Sequence, residues 1–287
     1  LRPVKTQRIQ QFELTPLARA GVFVMNLQRW GGESGHDLFS PHRDAHFLLV
    51  LATHGGATLH LDFAALPLQA PALLLVFPGQ VHHVGPELRE LRGWSVSFDG
   101  ALLDAQAQLV LERGLQHPLA PDPESAFFQQ ACALLALLEQ VQAGPADAYT
   151  GRSTHALLTA LLSLIAGQLT SAEGPGRESR GAVIERGFRQ LLKQHYQQWK
   201  QPAQYAAALA VSVAHLNDTL RQLTGLSTSA HIQQRAVLEA KRLLCFTELS
   251  AKEIGYAVGY DEPVYFGKLF RKSTGLTPQQ FRRQFRE

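Results

Sequence analysis

The sequence predicts a multidomain protein: an N-terminal antiparallel β-barrel with following helices, then an all-α C-terminal domain of two helix-turn-helix motifs joined by a long helix. Three observations carry this expectation. Short apolar runs separated by Gly and Pro fill residues 20–99, the apolar period becomes helical from Ala101, and the C-terminal part matches itself at an offset of 50 residues.

Residues 21–27, 46–52 and 57–63 read as strands, with the turn His54-Gly55-Gly56 between the last two. Apolar residues alternate over 58–63, the pattern of a half-buried strand. Residues 72–77 form a continuous apolar run, which suits a strand covered on both faces. Alternation over 93–99 turns Trp94, Val96 and Phe98 inward. Strands of this length and spacing favour an antiparallel sandwich or small barrel.

Farther on, Phe128, Ala131, Leu135, Leu138 and Gln142 follow helical spacing, and Leu157, Leu158, Leu161, Leu162 and Ile165 do so more densely. Two Leu-rich helices must bury that stripe, either in a dimer interface or against their own barrel. Residues 171–181 hold Gly, Ser, Pro and charge without apolar periodicity and read as a linker. The expected plan is a barrel over 1–115, a helical dimerisation region over 116–170, a linker over 171–181 and a helical domain over 182–287.

Charge divides along the same line. From residue 181 onward there are 15 Lys/Arg against 8 Asp/Glu, a balance of +7; residues 1–180 hold 12 against 16, a balance of −4. A basic third joined to a mildly acidic remainder points to a nucleic-acid-binding module on a different kind of domain. Cys132 and Cys245 lie far apart in apolar patterns and fit reduced thiols in a cytoplasmic protein. The first residues, LRPVKTQRIQ, carry charge without an apolar stretch, so no signal peptide is expected. The apolar run over 156–166 reads as too short and interrupted to span a bilayer, so no membrane role is expected. Neither a nucleophile–base constellation, a Walker-type loop nor a dinucleotide fingerprint occurs, which argues against an enzyme. Exposed aromatic platforms with basic neighbours are also lacking, which disfavours RNA.

The repeat is the most informative feature. Thr224-Gly225-Leu226 recurs as Thr274-Gly275-Leu276, with Arg221 matching Arg271, Leu220 Phe270, Leu216 Phe266 and Ala207 Ala257. Each copy reads as a short helix, a turn and a second helix: 204–210 with 214–224, and 251–258 with 262–274, where Gly259 makes the turn. Small residues are needed where the paired helices cross, a place assigned to Ala207 and Ala257. A connector helix over 228–248 joins the copies, and a helix over 188–199 adds Phe188, Leu191, Leu192, His195 and Trp199 to the same core. Two such units can reach successive major grooves about 34 Å apart.

The outward face of the first second-helix carries Ala214, Asn217, Asp218 and Arg221; its counterpart carries Val264, Gly267, Lys268 and Arg271. Asn217 suits an adenine edge, Asp218 a cytosine amino group or a pair with Arg221, and Ala214 a thymine methyl. Lys268 suits a guanine edge or phosphate, Val264 a methyl group, and Gly267 close backbone approach. Arg271, Lys272 and Arg282 are expected at phosphates, as is Thr277, whose place before Pro278 suits a helix N-cap.

Residues 185–287 resemble the AraC/XylS family of bacterial regulators. The resemblance rests on Ile254-Gly255-Tyr256-Ala257-Val258-Gly259-Tyr260, Tyr265-Phe266, Phe270-Arg271-Lys272, Gly275-Leu276-Thr277-Pro278 and Phe281-Arg282. It implies a seven-helix domain, double-stranded promoter DNA as partner, and activation through RNA polymerase. The preceding barrel resembles the cupin-like sensor domain of many members through Phe77-Pro78-Gly79-Gln80-Val81-His82 and its strand rhythm, which implies a small-molecule effector; a homodimer follows only if the Leu-rich helices form the dimer interface. Seven of the 12 histidines fall between His36 and His83. The spacing of His42 and His46 departs from the HxH pair of metal cupins, and no suitable Glu follows, so no metal or other cofactor is expected. His42, His46, His82 and Trp94 are instead candidate ligand-binding groups at the barrel rim. The alternatives are a metal-dependent cupin enzyme fused to a DNA-binding domain, or a repressor with a purely structural barrel.

Overall fold

The computed structural model describes residues 9–29, 38–85, 88, 90–115, 117–145, 147–171 and 180–286. The chain divides into a unit over 10–175 and a unit over 176–287. Of the expected linker, 172–179 lies outside the described residues.

The first unit holds nine strands: β1 (Gln10–Phe12), β2 (Val22–Asn26), β3 (His42–Asp44), β4 (Phe47–His54), β5 (Gly56–Leu61), β6 (Ala64–Gln69), β7 (Ala72–Val76), β8 (Val81–Val84) and β9 (Arg92–Phe98). They form two sheets, β1-β3-β8-β5-β6 and β2-β9-β4-β7, not one closed barrel. β5 alternates between buried and half-buried positions and all of β7 is buried, as their sequence patterns predict. Unforeseen were β1, β3, β6 and β8. β3 is His-Arg-Asp, β8 contains two histidines, and β6 is an edge strand carrying Pro67, so none shows an apolar period.

Successive side chains of β4 and β7 supply two different cores, and β9 joins one of them. Val50, Ala52, Leu74 and Val76 meet Leu59, Leu61, Leu68 and Val84 of the other sheet. Phe47, Leu49, Leu51, Leu73, Leu75, Val96 and Phe98 face a layer of helices. Trp94, Val96 and Phe98 therefore do share a face, but it is turned toward the helices and not into the space between the sheets. Gly93 has φ +137°, and a Cβ there would lie 2.0 Å from the Leu51 carbonyl oxygen. Only glycine lets the two central strands approach so closely.

The helix layer comprises α1 (Ala105–Gly114), α2 (Ala126–Ala143) and α3 (Ala148–Ser171). Ser125 caps α2 by accepting from Phe128 N. The stripes of α2 and α3, including Ala131, Leu135, Leu138, Leu158, Leu161, Leu162 and Ile165, are buried against this unit's own sheet. Each such leucine contributes roughly 1.5–3 kcal/mol. Gln142 closes the edge strand β2, its amide donating to Val22 O at 2.6 Å and accepting from Val24 N at 2.8 Å. Residues 149–170 are long and apolar enough to cross a membrane by length and composition, contrary to the expectation from the shorter run, yet their inner stripe is packed in this core.

The second unit has seven helices among the described residues: α4 (Arg180–His195), α5 (Pro202–Ala208), α6 (Val213–Thr224), α7 (Thr228–Phe246), α8 (Ala251–Ala257), α9 (Pro263–Thr274) and α10 (Pro278–Phe285). Phe188, Tyr205, Leu216, Leu220, Ile232, Ala236 and Ala240 are buried around the first pair, and Ile254, Phe266, Phe270 and Phe281 around the second. Both cysteines are free, and burial pushes the Cys245 thiol up to about 11.

Candidate nucleic-acid interface and a buried polar cluster

The repeated Thr-Gly-Leu is a duplicated helix stop. Thr224 and Thr274 donate their hydroxyls to Leu220 O and Phe270 O at 2.7 and 2.8 Å, and accept from Leu226 N and Leu276 N. Gly225 and Gly275 follow with φ +75° and +78°. Immediately beyond, Ser227 and Thr277 cap α7 and α10, each accepting from a backbone N–H three residues on. These devices place α6 and α9 identically at their C-terminal ends.

Their N-terminal ends differ. Ala210 and Gly259 both take positive φ, 52° and 83°, in the turns after α5 and α8. These residues are 49 apart, while α6 and α9 are 50 apart, so the second turn is one residue longer. That shift corrects the crossing residues. Ala207 and Ala257 are exposed; the buried small residues are Ala206 and Gly255. A Cβ on Gly255 would lie 3.2 Å from the Phe266 ring.

With Leu216, Leu220, Phe266 and Phe270 inward, the opposite faces are open. Ala214, Asp218 and Arg221 are exposed and Asn217 is half-buried; on α9, Val264, Lys268 and Arg271 are exposed, and Lys272 beside them. Val264 is 70% exposed, an unusual position for a β-branched apolar residue. A Cβ on Gly267 would meet nothing, so packing does not require glycine there. Asn217 Oδ1 accepts from Thr228 N at 3.3 Å, which orients its amide. Asp218 and Arg221 form no ion pair with each other among the described residues.

Arg282 is placed otherwise than expected. Its Nε donates to Leu244 O at 2.9 Å and its Nη2 to Leu249 O, so the guanidinium closes a carbonyl in the last turn of α7 and ties it to the loop before α8. Thr277 uses its hydroxyl within its own capping box with Gln280.

Between the sheets of the first unit, polar groups gather in an otherwise apolar space. His42, Asp44, His46 and His82 are each at most 6% exposed. The β3–β8 register sets His42 opposite His82, with rings 4.3 Å apart. Asp44 Oδ2 lies 3.5 Å from both His46 Nε2 and His82 Nε2. Burial raises the Asp44 carboxyl to about 7. Burial, reinforced by the field of His42, lowers His82 to about 3. His82 is therefore neutral at pH 7, and its contact with Asp44 is not an ion pair. Trp94 does not join this group: its indole faces the helices and donates to Glu139 Oε2 at 2.8 Å. The alternating positions Ser95 and Ser97 face the cluster instead.

Residues 32–166 match the family described as an AraC-like ligand binding domain, and residues 205–284 match a family described as a helix-turn-helix domain. The two matches lie one in each unit.

The chain belongs to the AraC family of transcription regulators.

It is 25% identical over 291 aligned positions to the MmsAB operon regulatory protein of Pseudomonas aeruginosa, covering 99% of this chain and 90% of that protein. It is 33% identical over 70 residues to the transcriptional activator RhaR of Cronobacter sakazakii, a match that spans 24% of this chain and 25% of that one. Among solved structures, the C-terminal domain of AraT, a response regulator from Geobacillus stearothermophilus, is 30% identical, with 39% of this chain and 91% of that chain covered and a TM-score of 0.36. As an AraC-family protein the chain is a DNA-binding transcription regulator.

Sequence reasoning missed two features of this regulator. Tyr256 on α8 and Tyr265 on α9 are 48% and 51% exposed, although aromatic residues in a helical repeat read first as core. Asp44 was missed because it sits between two histidines in a segment with no apolar period, where no metal-type spacing drew attention to it.

Proposed function

We propose that this regulator reads its operator through the outward faces of α6 and α9, with Asn217 and Lys268 as the principal base readers and Ala214, Asp218, Arg221, Val264 and Gly267 completing the two faces. Arg271, Lys272 and the N-terminus of α10 at Thr277 neutralise phosphates. The observation that carries this reading is the exposure of a polar and basic face on each helix, opposite Leu216, Leu220, Phe266 and Phe270, which are buried. A buried core face and a free outer face are what entry into a major groove demands.

The regulator acts as an activator that engages RNA polymerase, and it works where the chromosome is. RhaR, to which part of the chain is similar, is a transcriptional activator, and this supports the sign of control. The two-sheet unit senses a small ligand at its polar cluster, supported by four buried polar side chains in an apolar interior and by the match to a ligand-binding family. Self-association uses the outward side of α2 and α3, where Leu137 is 46% exposed and Leu134 and Leu164 line an open groove. Their inner stripes are already covered by the sheet.

Footprinting in cells with and without the gene tests the main reading. Protected sites with two half-elements about one helical turn apart, at promoters whose transcripts fall on deletion, are expected. The absence of gene-dependent protection would overturn it, and transcripts that rise on deletion would make the protein a repressor.

A further inference from the structure

His42 and Asp44 are two residues apart on β3 and point the same way, and His82 faces them from β8. One ligand-capable atom from each lies within 4.8 Å of the other two, and all three side chains are buried. Hydrogen bonds fix the ring tautomers. His42 Nδ1 lies 2.8 Å from Ser40 O and His82 Nδ1 lies 3.2 Å from Gln80 O. A carbonyl oxygen only accepts, so both Nδ1 atoms carry the proton; neutral His82 therefore holds its lone pair on Nε2, and a metal would take the Nε2 of His42 in its neutral form.

The His82 lone pair is buried with no hydrogen-bond partner, 3.5 Å from an oxygen of the Asp44 carboxyl. A buried, unpartnered imidazole lone pair beside a carboxyl is a place for a cation, and a metal ion that displaces the carboxyl proton satisfies both groups. Two ligands on one ion, each about 2.0–2.2 Å away at a near-tetrahedral angle, stand about 3.4 Å apart. The observed 3.5 Å is that separation. Imidazole nitrogens anchored by backbone carbonyls through their other nitrogen are the usual outer shell of a metal site. The adjoining cavity, lined in part by Met25, Ser95 and Ser97, is about 40 Å³. It admits an ion and a water but is far below the roughly 300 Å³ of a drug-sized ligand's pocket.

We propose that the two-sheet unit binds one divalent first-row transition metal ion of the zinc class through His42, Asp44 and His82, leaving further coordination open to water or a small oxyanion. Two imidazoles and one carboxylate select such ions over magnesium or calcium, which prefer all-oxygen sites. The proposal deepens the ligand-sensing reading and rests on it for any effect on transcription; the site itself stands on the geometry alone.

The test uses the full chain, stripped with chelator, desalted and titrated with Co²⁺ and then Zn²⁺. One equivalent of Co²⁺ per chain is expected, with the visible absorption of a four- or five-coordinate nitrogen–oxygen site that Zn²⁺ displaces. Asp44→Asn and His82→Gln should each weaken binding at least about tenfold, while His54→Ala, an exposed histidine on the same unit, leaves it unchanged. Lack of saturable binding by the wild-type chain, or binding indifferent to His82→Gln and Asp44→Asn, overturns the proposal. Should either variant fail to fold, the wild-type melting temperature decides: a saturable rise with Zn²⁺ supports the site and none overturns it. Operator affinity measured with and without Zn²⁺ separates the two readings. Stoichiometric binding without a change in DNA affinity keeps the site and removes sensing by metal. A ligand response without metal binding keeps sensing and removes the site.

Discussion

Lys268 stands exposed on α9, free to reach a base edge or a phosphate. Lys268→Ala should weaken operator binding by about 1–3 kcal/mol and relax preference at one position if it reads a base; gel-shift titration on matched and mismatched operators measures both. Unchanged affinity and preference would take Lys268 out of the interface. Arg282 gives the opposite expectation. Because its guanidinium closes the end of α7, Arg282→Ala should lower the stability of the C-terminal unit by about 1.5–3 kcal/mol. Thermal unfolding reads that loss, and an unchanged melting temperature with weakened DNA binding would return Arg282 to the phosphates. The two cations look alike in sequence, since nothing in the local pattern announces that the end of α7 lies across from Arg282.

At the scale of elements, the turn after α8 is the most constrained. Gly259 has φ +83°, and a Cβ would lie 1.8 Å from the Gln197 carbonyl oxygen. Gly259→Ala meets both a backbone penalty and a clash with main chain that cannot rotate away, and should cost more than about 2 kcal/mol. Chemical denaturation of the variant checks this; a loss within about 0.5 kcal/mol would mean that the turn relaxes. The matching position in the first copy is Ala210, which holds φ 52° without glycine, so that turn is the less demanding of the two. This asymmetry also explains an error in register. An offset of 50 aligns the second helices and their stops, but the turns differ by one residue, so the short helices align at 49. Ala207 and Ala257 matched by composition, while Ala206 and Gly255 hold the crossing.

For the whole molecule, charge is the deciding quantity. The C-terminal part carries its positive balance on a unit whose exposed cations include Arg221, Lys268, Arg271 and Lys272. Operator affinity should therefore fall linearly in log–log plots against salt, by about 0.9 for each phosphate neutralised. Fluorescence anisotropy across a salt series gives the slope, and a flat response would contradict binding through these cations. Lys272→Ala should lower that slope by about one while leaving base preference intact.

The double helix-turn-helix was legible because its signals are local: caps, Thr-Gly-Leu stops and apolar residues at helical spacing depend on neighbours within one or two turns. The same holds for β5 and β7, whose burial follows their own periodicity. Alternation alone, however, says that Trp94, Val96 and Phe98 share a face without saying what that face meets, and only the packing of α2 and α3 turned it away from the space between the sheets. The polar cluster belongs to this second kind. His42, Asp44 and His82 are 40 residues apart at the extremes, and only the β3–β8 register brings them together. The sequence by itself determined the helical repeat and the outward faces of its second helices, because those rest on short-range periodicity. Tertiary structure decided the open two-sheet fold, the role of Arg282 and the buried histidine–aspartate group, because each depends on contacts between segments distant in the chain.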